Sequence, residues 1–462
     1  MSYRSLACEE GMREMNRRPA NAISPQPTRR QWLSRCSAAL AGGAALGVLD
    51  IARSAHAAGG ETIRFGLVGC GNRGTGACRD VLESRGPVQL IALADLFAGP
   101  IERGLANLVK YPHLKPRIDV PPERRFTGLD AYQKLLAADL DLVLLATPPH
   151  FRPVHYAAAA KAGKHAFLEK PACVDAPGYR MLLAANEVAK AKRLSVGVGL
   201  QRRHQQNYLD GVRKIRDGGL GTVQFIRTYF NVPGTRAAAT RTPKMSEMEY
   251  QLRSWNLFCW LSGDHIVEQA CHEIDVANWV MDGPPLRANG LGGRQQRLGP
   301  GAGDIFDHHA VEFEYPGGVF HFCQARQQLG TWGEVSDHVH GTRGKMTIGR
   351  GPWGLGEANP RTLRSKDYRG DNPYQREQDD LVASILGRGP HVFEGDYGAA
   401  STMTAVLGRM ATYSGQMVTW EDATASTVRL APDRYALDAV PPAHPDADGA
   451  YPAAVPGVSK AL

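Results

Sequence analysis

Short apolar runs alternate with longer amphipathic stretches between residues 63 and 199. The apolar runs predict strands, because they are bounded by glycine, proline or polar clusters, whereas the stretches between them have helical spacing. The predicted strands are 63–68, 88–94, 141–146, 165–168 and 194–199. The predicted helices are 75–84, 155–162 and 179–192. Strands that alternate with helices in this way predict a parallel, doubly wound α/β sheet, and we place this domain at 61–200.

The pattern changes after residue 200, where longer strands with alternating polar and apolar positions dominate. Predicted strands are 222–231, 307–315, 319–324 and 345–348, with predicted helices at 376–386 and 399–413. Pro316-Gly317-Gly318 predicts a hairpin between two of these strands. This pattern predicts a second α/β domain at 201–430, built on a large open and mostly antiparallel sheet. The Pro- and Ala-rich remainder, 431–462, is predicted to be an extended or disordered arm.

The N-terminal segment is typical of an export signal. Arg29 and Arg30 precede a weakly apolar stretch, 36–51, and Ala55-His56-Ala57 matches a signal-peptidase site. We therefore interpret 1–57 as a twin-arginine signal peptide and expect a periplasmic or secreted protein; a basic amphipathic helix is the alternative. The unusually long stretch before the paired arginines leaves Met1, Met12 or Met15 as the start.

Composition adds little evidence for a macromolecular partner. The chain has 54 basic and 46 acidic residues, and half of the net charge of +8 lies within the leader. So small an excess argues against nucleic acid as a partner, and no later apolar run is long enough to span a membrane. The six cysteines after the leader contain no C-x-x-C pair, so we interpret them as buried apolar residues.

A glycine-rich turn follows the first predicted strand. Its residues, Gly69-Cys70-Gly71-Asn72-Arg73-Gly74, lie between a strand and a helix, and Asp95 ends the next strand. In this context G-x-G-x-x-G is typical of a dinucleotide site: the glycines allow a tight turn and close approach to a pyrophosphate. Asp95 is suited to accept hydrogen bonds from the adenosine ribose hydroxyls and favours NAD over NADP. The alternative interpretation of the motif is a glycine turn in an α/β unit that binds no dinucleotide.

Three further motifs, together with the glycine turn, resemble the glucose-fructose oxidoreductase / inositol dehydrogenase family, Gfo/Idh/MocA. They are Thr147-Pro148-Pro149-His150, Glu169-Lys170-Pro171 and the run 268–275. The resemblance covers most of 61–425. It implies NAD as the cofactor, a sugar or polyol substrate and a homo-oligomer. It also implies that Lys170 and His272 face the reacting carbon. Glu268 departs from the family pattern, in which many members carry Asp.

The stretch 264–281 is predicted to form one helix that ends before Gly283-Pro284. Glu268, His272, Asp275 and Trp279 would then share one face, at i, i+4, i+7 and i+11. A buried face with two carboxylates and an imidazole indicates function, with a solvated polar face as the alternative. No metal is expected, because Gln269 stands where an H-x-x-E-H motif needs histidine.

The sequence therefore predicts an NAD-dependent oxidoreductase acting on a carbohydrate or polyol. The catalytic candidates are Lys170, His272 and Glu268. The cofactor candidates are Gly69, Gly71, Asn72, Arg73, Gly74, Asp95, Thr147, Pro148, His150, Glu169 and Lys170. Weaker substrate candidates are Arg203, Trp255, Trp260 and Asp275. Two alternatives stay open: an NAD-dependent glycoside hydrolase that works by transient oxidation and elimination, and a non-catalytic sugar-sensing module.

Overall fold

The computed structural model describes residues 62–234, 237–348 and 372–460. All of these belong to one compact unit, Ala57–Leu462. The predicted signal peptide at 1–57 lies outside the described residues.

The first sheet contains six parallel strands, as the alternating pattern predicts. Its order is β3-β2-β1-β4-β5-β6. The strands are β1 Ile63–Val68, β2 Val88–Asp95, β3 Arg125–Thr127, β4 Leu142–Leu145, β5 His165–Leu168 and β6 Val196–Val198. Most of these strand residues are buried, because helices cover both faces of the sheet. All the carboxyl ends therefore meet along one edge.

Helices connect these strands, and the sequence pattern located three of them. They are α1 Asn72–Leu82, α2 Ala98–Leu108, α3 Ala131–Leu136, α4 Arg152–Lys161 and α5 Ala176–Ala191. Helix α1 begins three residues before its predicted start, directly after Gly71. Helices α2 and α3 and strand β3 were not predicted, because their apolar positions are few or the elements are very short.

The second sheet has seven strands in the order β12-β11-β7-β10-β9-β8-β13. The strands are β7 Val223–Val232, β8 Arg287–Gly293, β9 His308–Tyr315, β10 Val319–Gln327, β11 Glu334–Gly341, β12 Gly344–Ile348 and β13 Val418–Thr419. Only the β7–β10 pair is parallel among these strands, so the predicted mostly antiparallel sheet is confirmed. The predicted hairpin joins β9 to β10.

One face of the second sheet is covered by helices. The helices that follow β6 along the chain are α6 Gln206–Arg216, α7 Glu247–Arg253, α8 Cys259–Ser262, α9 His265–Glu268, α10 Cys271–Met281, α11 Pro373–Ile385, α12 Gly395–Ser414 and α13 Trp420–Ala425. Of these, α11 packs in the apolar core of the first sheet. Side chains of α10 and α12 pack with inward-facing residues of β7, β9 and β10 in one apolar core. None of the described helices is long and apolar enough to cross a membrane.

The predicted single helix over 264–281 is wrong, because it breaks into α9 and α10 at Gln269–Ala270. The Glu268 carbonyl oxygen accepts a hydrogen bond from the Lys170 ammonium. The His272 amide, which would close an unbroken helix at that carbonyl, instead donates to the Gln269 oxygen at 3.4 Å. Glu268 and His272 are therefore neighbours across a bend, not positions on one helix face.

The C-terminal segment packs on the domain instead of being disordered. Residues 431–460 have no helix or strand, yet Tyr451 is fully buried and Ala443 nearly so. Both belong to an apolar cluster with Trp260 and Phe258.

Candidate active site

The glycine turn after β1 has the close backbone packing that its motif predicts. Gly69 adopts a φ of +97°, and its amide donates to the Ala94 oxygen at the end of β2. A Cβ on Gly74 would lie 2.0 Å from the Gly69 oxygen, so only glycine fits there. The position of a Cβ on Gly71, in contrast, is open space. The first turn of α1 therefore presents its backbone to the crevice without side-chain obstruction.

Asp95 lies beside this turn at the end of β2. Its carboxylate accepts hydrogen bonds from the Cys70 amide at 2.8 Å and the Phe97 amide at 3.1 Å. Burial raises the pKa of Asp95, and these hydrogen bonds oppose the shift. Each carboxylate oxygen keeps a second acceptor site, so the side chain can still receive ribose hydroxyls.

The Thr147-Pro148-Pro149-His150 motif lies at the end of β4, on the same edge as the glycine turn. The His150 Nε2 and the Tyr435 hydroxyl are 2.7 Å apart. Burial, with a contribution from Arg429, lowers the pKa of His150 to about 4, so its ring is neutral at neutral pH. The C-terminal segment thus reaches the predicted cofactor side of the first sheet.

Arg73 connects α1 to the Glu-Lys-Pro motif after β5. Its Nε donates to Glu169 at 2.5 Å, and an Nη nitrogen lies 3.8 Å from Glu377 of α11. Its guanidinium lies 4.8 Å from the ring centre of Tyr374. Burial raises the pKa of Glu377 well above its usual value, since both its oxygens are buried without a hydrogen-bond partner among the described residues. Arg73 and Glu169 thus join three chain segments, while Asn72 beside them is exposed.

Lys170 extends from the first domain to the bend between α9 and α10. Its ammonium donates to the Glu268 carbonyl oxygen and lies 3.3 Å from the Glu268 carboxylate. Burial by itself would lower the pKa of Lys170, but Glu268, Cys271 and Glu169 raise it to about 12. Lys170 therefore stays a cation at neutral pH, and only a sixth of its side chain is exposed.

His272 is the second residue of α10. Burial lowers its pKa well below 6.5, and the positive charges of Lys170, Arg202 and Arg73 lower it further. Its Nδ1 is buried without a hydrogen-bond partner among the described residues. A neutral imidazole therefore lies within the electrostatic reach of the Lys170 ammonium. This arrangement offers a proton acceptor and a charged hydrogen-bond donor in one crevice.

Two of the weaker substrate candidates bind each other. Arg203 donates to Asp275 through Nε and Nη2 at 2.8–3.1 Å, and Ser401 of α12 donates to the same carboxylate at 2.7 Å. Asp275 is 1% exposed. Arg203 also lies over the rings of Tyr397 and Trp279. The pair therefore joins the segment after β6 to α10 and α12, and the Asp275 carboxylate is already occupied by Arg203 and Ser401.

The aromatic candidates differ in position. Trp260 is 2% exposed in an apolar cluster and donates its indole N–H to Gln251, so its predicted contact with a substrate is wrong. Trp255 is partly exposed and stays a candidate.

Sequence reasoning missed two residues at this edge. Tyr374 of α11 stacks on Arg73, and its hydroxyl accepts a hydrogen bond from Gln201 at 3.1 Å. Tyr435 contacts His150 from the C-terminal segment. The Asn372-Pro373 pair signals the start of α11, because the Asn372 side chain accepts from the Tyr374 amide. No pattern in the sequence, however, indicates that Tyr374 or Tyr435 reaches the first domain.

The turn fits NAD on structural grounds. It combines an open backbone at Gly71, a glycine-only contact at Gly74 and an acceptor at Asp95. The N-terminus of α1 has no side-chain cap, so its amides are available to a pyrophosphate.

Comparisons with known proteins agree with this geometry. Residues 63–199 match the family model described as "Oxidoreductase family, NAD-binding Rossmann fold", and residues 212–347 match "GFO/IDH/MocA C-terminal domain". An inositol 2-dehydrogenase of Agrobacterium fabrum is 28% identical over 222 residues, which are 48% of this chain and 55% of that protein. An α-N-acetylgalactosaminidase of Tannerella forsythia is 30% identical over 150 residues, or 29% of this chain and 31% of that protein. The match thus spans about half of the first relative's length, and less of the second.

The fold is also shared with a solved structure. The scyllo-inositol dehydrogenase of Lactobacillus casei, solved with NAD(H) and scyllo-inositol, has a TM-score of 0.58 at 18% identity. It matches 78% of this chain and all of that one. Two family models in the expected order, over two sheets of the expected topology, show that this chain belongs to the Gfo/Idh/MocA family, with an NAD-binding Rossmann domain.

Proposed function

We propose that this protein is an NAD-dependent oxidoreductase that acts on a secondary alcohol of a carbohydrate or polyol. The observation that carries the proposal is the contact between Lys170 of the first domain and Glu268 of the second. The positive charges of Lys170 and Arg73 also act on His272, whose pKa they lower. The similarity to an inositol 2-dehydrogenase supports a polyol or sugar as the substrate class.

Each residue has a distinct chemical task in this proposal. When bound, NAD supplies the hydride-accepting nicotinamide, which is chemistry that side chains lack. His272 takes the hydroxyl proton at its neutral imidazole as the alcohol is oxidised. Lys170 donates a hydrogen bond to the substrate oxygen and stabilises its developing negative charge. Glu268 holds the Lys170 ammonium in place and offers a carboxylate to a neighbouring substrate hydroxyl.

A panel of polyols, aldoses and their oxidised forms tests this proposal. We expect the absorbance of reduced nicotinamide to rise with at least one substrate in wild-type protein and not in His272→Ala. Denaturing the purified protein and analysing the supernatant by mass spectrometry should release about one NAD per chain if the cofactor is tightly held. Sugar binding without any turnover across the panel would instead favour a sensing module.

A second candidate is glycoside cleavage through transient oxidation and elimination, in which the cofactor ends in its starting state. The similarity to the Tannerella forsythia α-N-acetylgalactosaminidase favours this candidate. Aryl glycosides separate the two functions, because only cleavage releases the phenol without an added redox acceptor. If wild-type protein releases phenol and His272→Ala and Lys170→Met both abolish the release, cleavage is the main activity. If neither substitution changes the release, this site is not where cleavage occurs.

We also propose that the chain is exported by the twin-arginine route and assembles as a homo-oligomer. The paired Arg29-Arg30 and the cleavage-type Ala55-His56-Ala57 support export. The exposed side of the second sheet, with Phe322 and Trp332 at 43% and 59% exposure, supports assembly through that face. Arg29→Lys/Arg30→Lys should retain the protein in the cytoplasm. Phe322→Glu should reduce the mass measured by light scattering; an unchanged mass would exclude this face.

A further inference from the structure

Three buried side chains from two elements meet away from the catalytic candidates. Asp264 caps α9, His265 begins that helix, and His309 lies on β9. All three are at most 2% exposed, and one ligand atom of each lies within 4.8 Å of the others. The Asp264 Oδ1 is 3.3 Å from the His309 Nε2 and 3.9 Å from the His265 Nε2. Two imidazole nitrogens and a carboxylate oxygen therefore converge on one point.

His265 has no hydrogen-bond partner for either ring nitrogen among the described residues. A neutral imidazole always carries one N–H donor and one acceptor, and buried polar groups in folded proteins are almost always paired. Its Nε2 faces Asp264, but 3.9 Å is too long for a hydrogen bond. A further atom between His265 and Asp264 would give this side chain the partner it lacks.

The spacing suits a metal ion as that atom. Ligands at about 2.0–2.1 Å from a tetrahedral Zn²⁺ lie about 3.3–3.4 Å apart. The separation of Asp264 from His309, 3.3 Å, already has this value, and the separation of Asp264 from His265, 3.9 Å, would have to shorten on binding. Other groups already orient two of the ligands. The His309 Nδ1 bonds the Thr412 hydroxyl at 2.9 Å. The Asp264 Oδ2 accepts from the Tyr413 hydroxyl at 2.5 Å and the Phe306 amide at 2.9 Å. Such outer partners are typical of metal sites.

We propose that Asp264 Oδ1, His265 Nε2 and His309 Nε2 bind a Zn²⁺ ion, with a water as the fourth ligand. Nitrogen and oxygen ligands in a small closed site favour Zn²⁺ over Ca²⁺ or Mg²⁺, which prefer larger all-oxygen sets. The ion would join the start of α9 to β9. The sequence did not predict this site, because His309 is 44 residues from His265 and forms no metal motif with it.

Metal analysis of tag-free protein, purified without chelators, is the direct test. We expect about one zinc per chain by inductively coupled plasma mass spectrometry. X-ray absorption should show two imidazole ligands and an oxygen ligand. Zinc added to chelator-treated protein should raise its melting temperature. A zinc content near zero, with a melting temperature that added zinc does not change, would overturn the proposal and favour a buried water.

Variants then locate the ion. His265→Gln and His309→Gln should each weaken zinc binding at least 100-fold in a competition titration against a chromophoric chelator. His321→Gln is the matched control, because His321 is equally buried but bonds Thr228 elsewhere in the same core. An unchanged zinc affinity in the His265 and His309 variants would overturn the assignment of these ligands. If either variant fails to fold, the ligand set from X-ray absorption of wild-type protein decides, and a set without two imidazoles excludes the site.

Discussion

Neighbouring charges give Lys170 and His272 different protonation states at neutral pH. Both are largely enclosed, and burial favours the neutral form of each. Glu268 and Glu169 keep Lys170 charged, whereas the cations around His272 keep it neutral. The site therefore holds a cation and a free base side by side at neutral pH.

Removing either group should abolish most turnover and leave the fold intact. His272→Ala and Lys170→Met should each lower kcat by about 10²–10⁴-fold, because each loses one proton-transfer or hydrogen-bonding contribution in the transition state. NAD released on denaturation should stay near the wild-type amount. His113→Gln, at an exposed histidine paired with Glu83, is the control and should not change kcat. Wild-type rates in His272→Ala would assign the base elsewhere.

The protonation of His272 predicts the acid side of the pH profile. Since its pKa is lowered below 6.5, the neutral base persists as pH falls through 6.5 and is lost only at lower pH. A plot of kcat/KM against pH should therefore show no loss of activity between about pH 8 and 6.5. The pKa of Lys170, about 12, excludes its deprotonation from the same range. A midpoint at or above pH 6.5 would contradict this assignment.

Two elements are shaped by single contacts that strengthen the site. Helix α1 approaches β1 so closely that Gly74 has no room for a side chain. Helices α9 and α10 are separated at Gln269–Ala270, where Lys170 binds the Glu268 carbonyl oxygen. In both cases a contact near the predicted site determines the local backbone conformation.

Alanine substitutions at two glycines of α1 distinguish the effect of close backbone packing from the effect of helix propensity. Gly74→Ala should destabilise the protein by about 1–3 kcal/mol, because its Cβ would meet the Gly69 oxygen. It should also weaken NAD retention on gel filtration. Gly76→Ala is the matched control: its Cβ would meet only the end of the Arg73 side chain, at 3.6 Å. That change should be neutral or stabilising by up to about 1 kcal/mol. Equal effects of the two changes would contradict the close-packing argument.

At the scale of the whole molecule, buried charges join the two sheets. Arg202, in the turn after β6, donates to Glu273 of α10 and to Asp337 of β11, the latter at 3.0 Å. Both carboxylates are fully buried. Burial raises the pKa of each, and Arg202 opposes that shift. The arrangement is stable only while the guanidinium is present.

Arg202→Leu should therefore lower the free energy of unfolding by about 3–5 kcal/mol, because two buried carboxylates lose their cation. Their folded-state pKa values would rise further above the unfolded ones, so the deficit should grow as pH increases and shrink as it falls. Arg287→Leu is the control, since its ion pair with Glu314 lies at the surface, where solvent screens the two charges. Urea denaturation at several pH values measures the free energy of unfolding of both variants. A loss below about 1 kcal/mol for Arg202→Leu would contradict this interpretation.

The sequence by itself determined the elements whose signals are local. Apolar runs located β1, β2, β4, β5 and β6, and the glycine turn indicated NAD before any contact was known. Short or weakly patterned elements such as β3 and α3 escaped, because a few residues carry too little periodicity. The family motifs also indicated Lys170 and His272 as catalytic candidates.

Only the tertiary structure decided which of these residues are free to act. The predicted helix over 264–281 has good local propensity, but it breaks at a carbonyl that accepts a hydrogen bond from a lysine 98 residues from Glu268. Arg203 and Asp275 are suitable substrate ligands by residue type, yet they bind each other. Trp260 is buried by a C-terminal segment that composition assigned to an extended or disordered arm. The physical reason is common to all three: hydrogen bonds and burial between distant segments outweigh local preferences, and no local pattern encodes them.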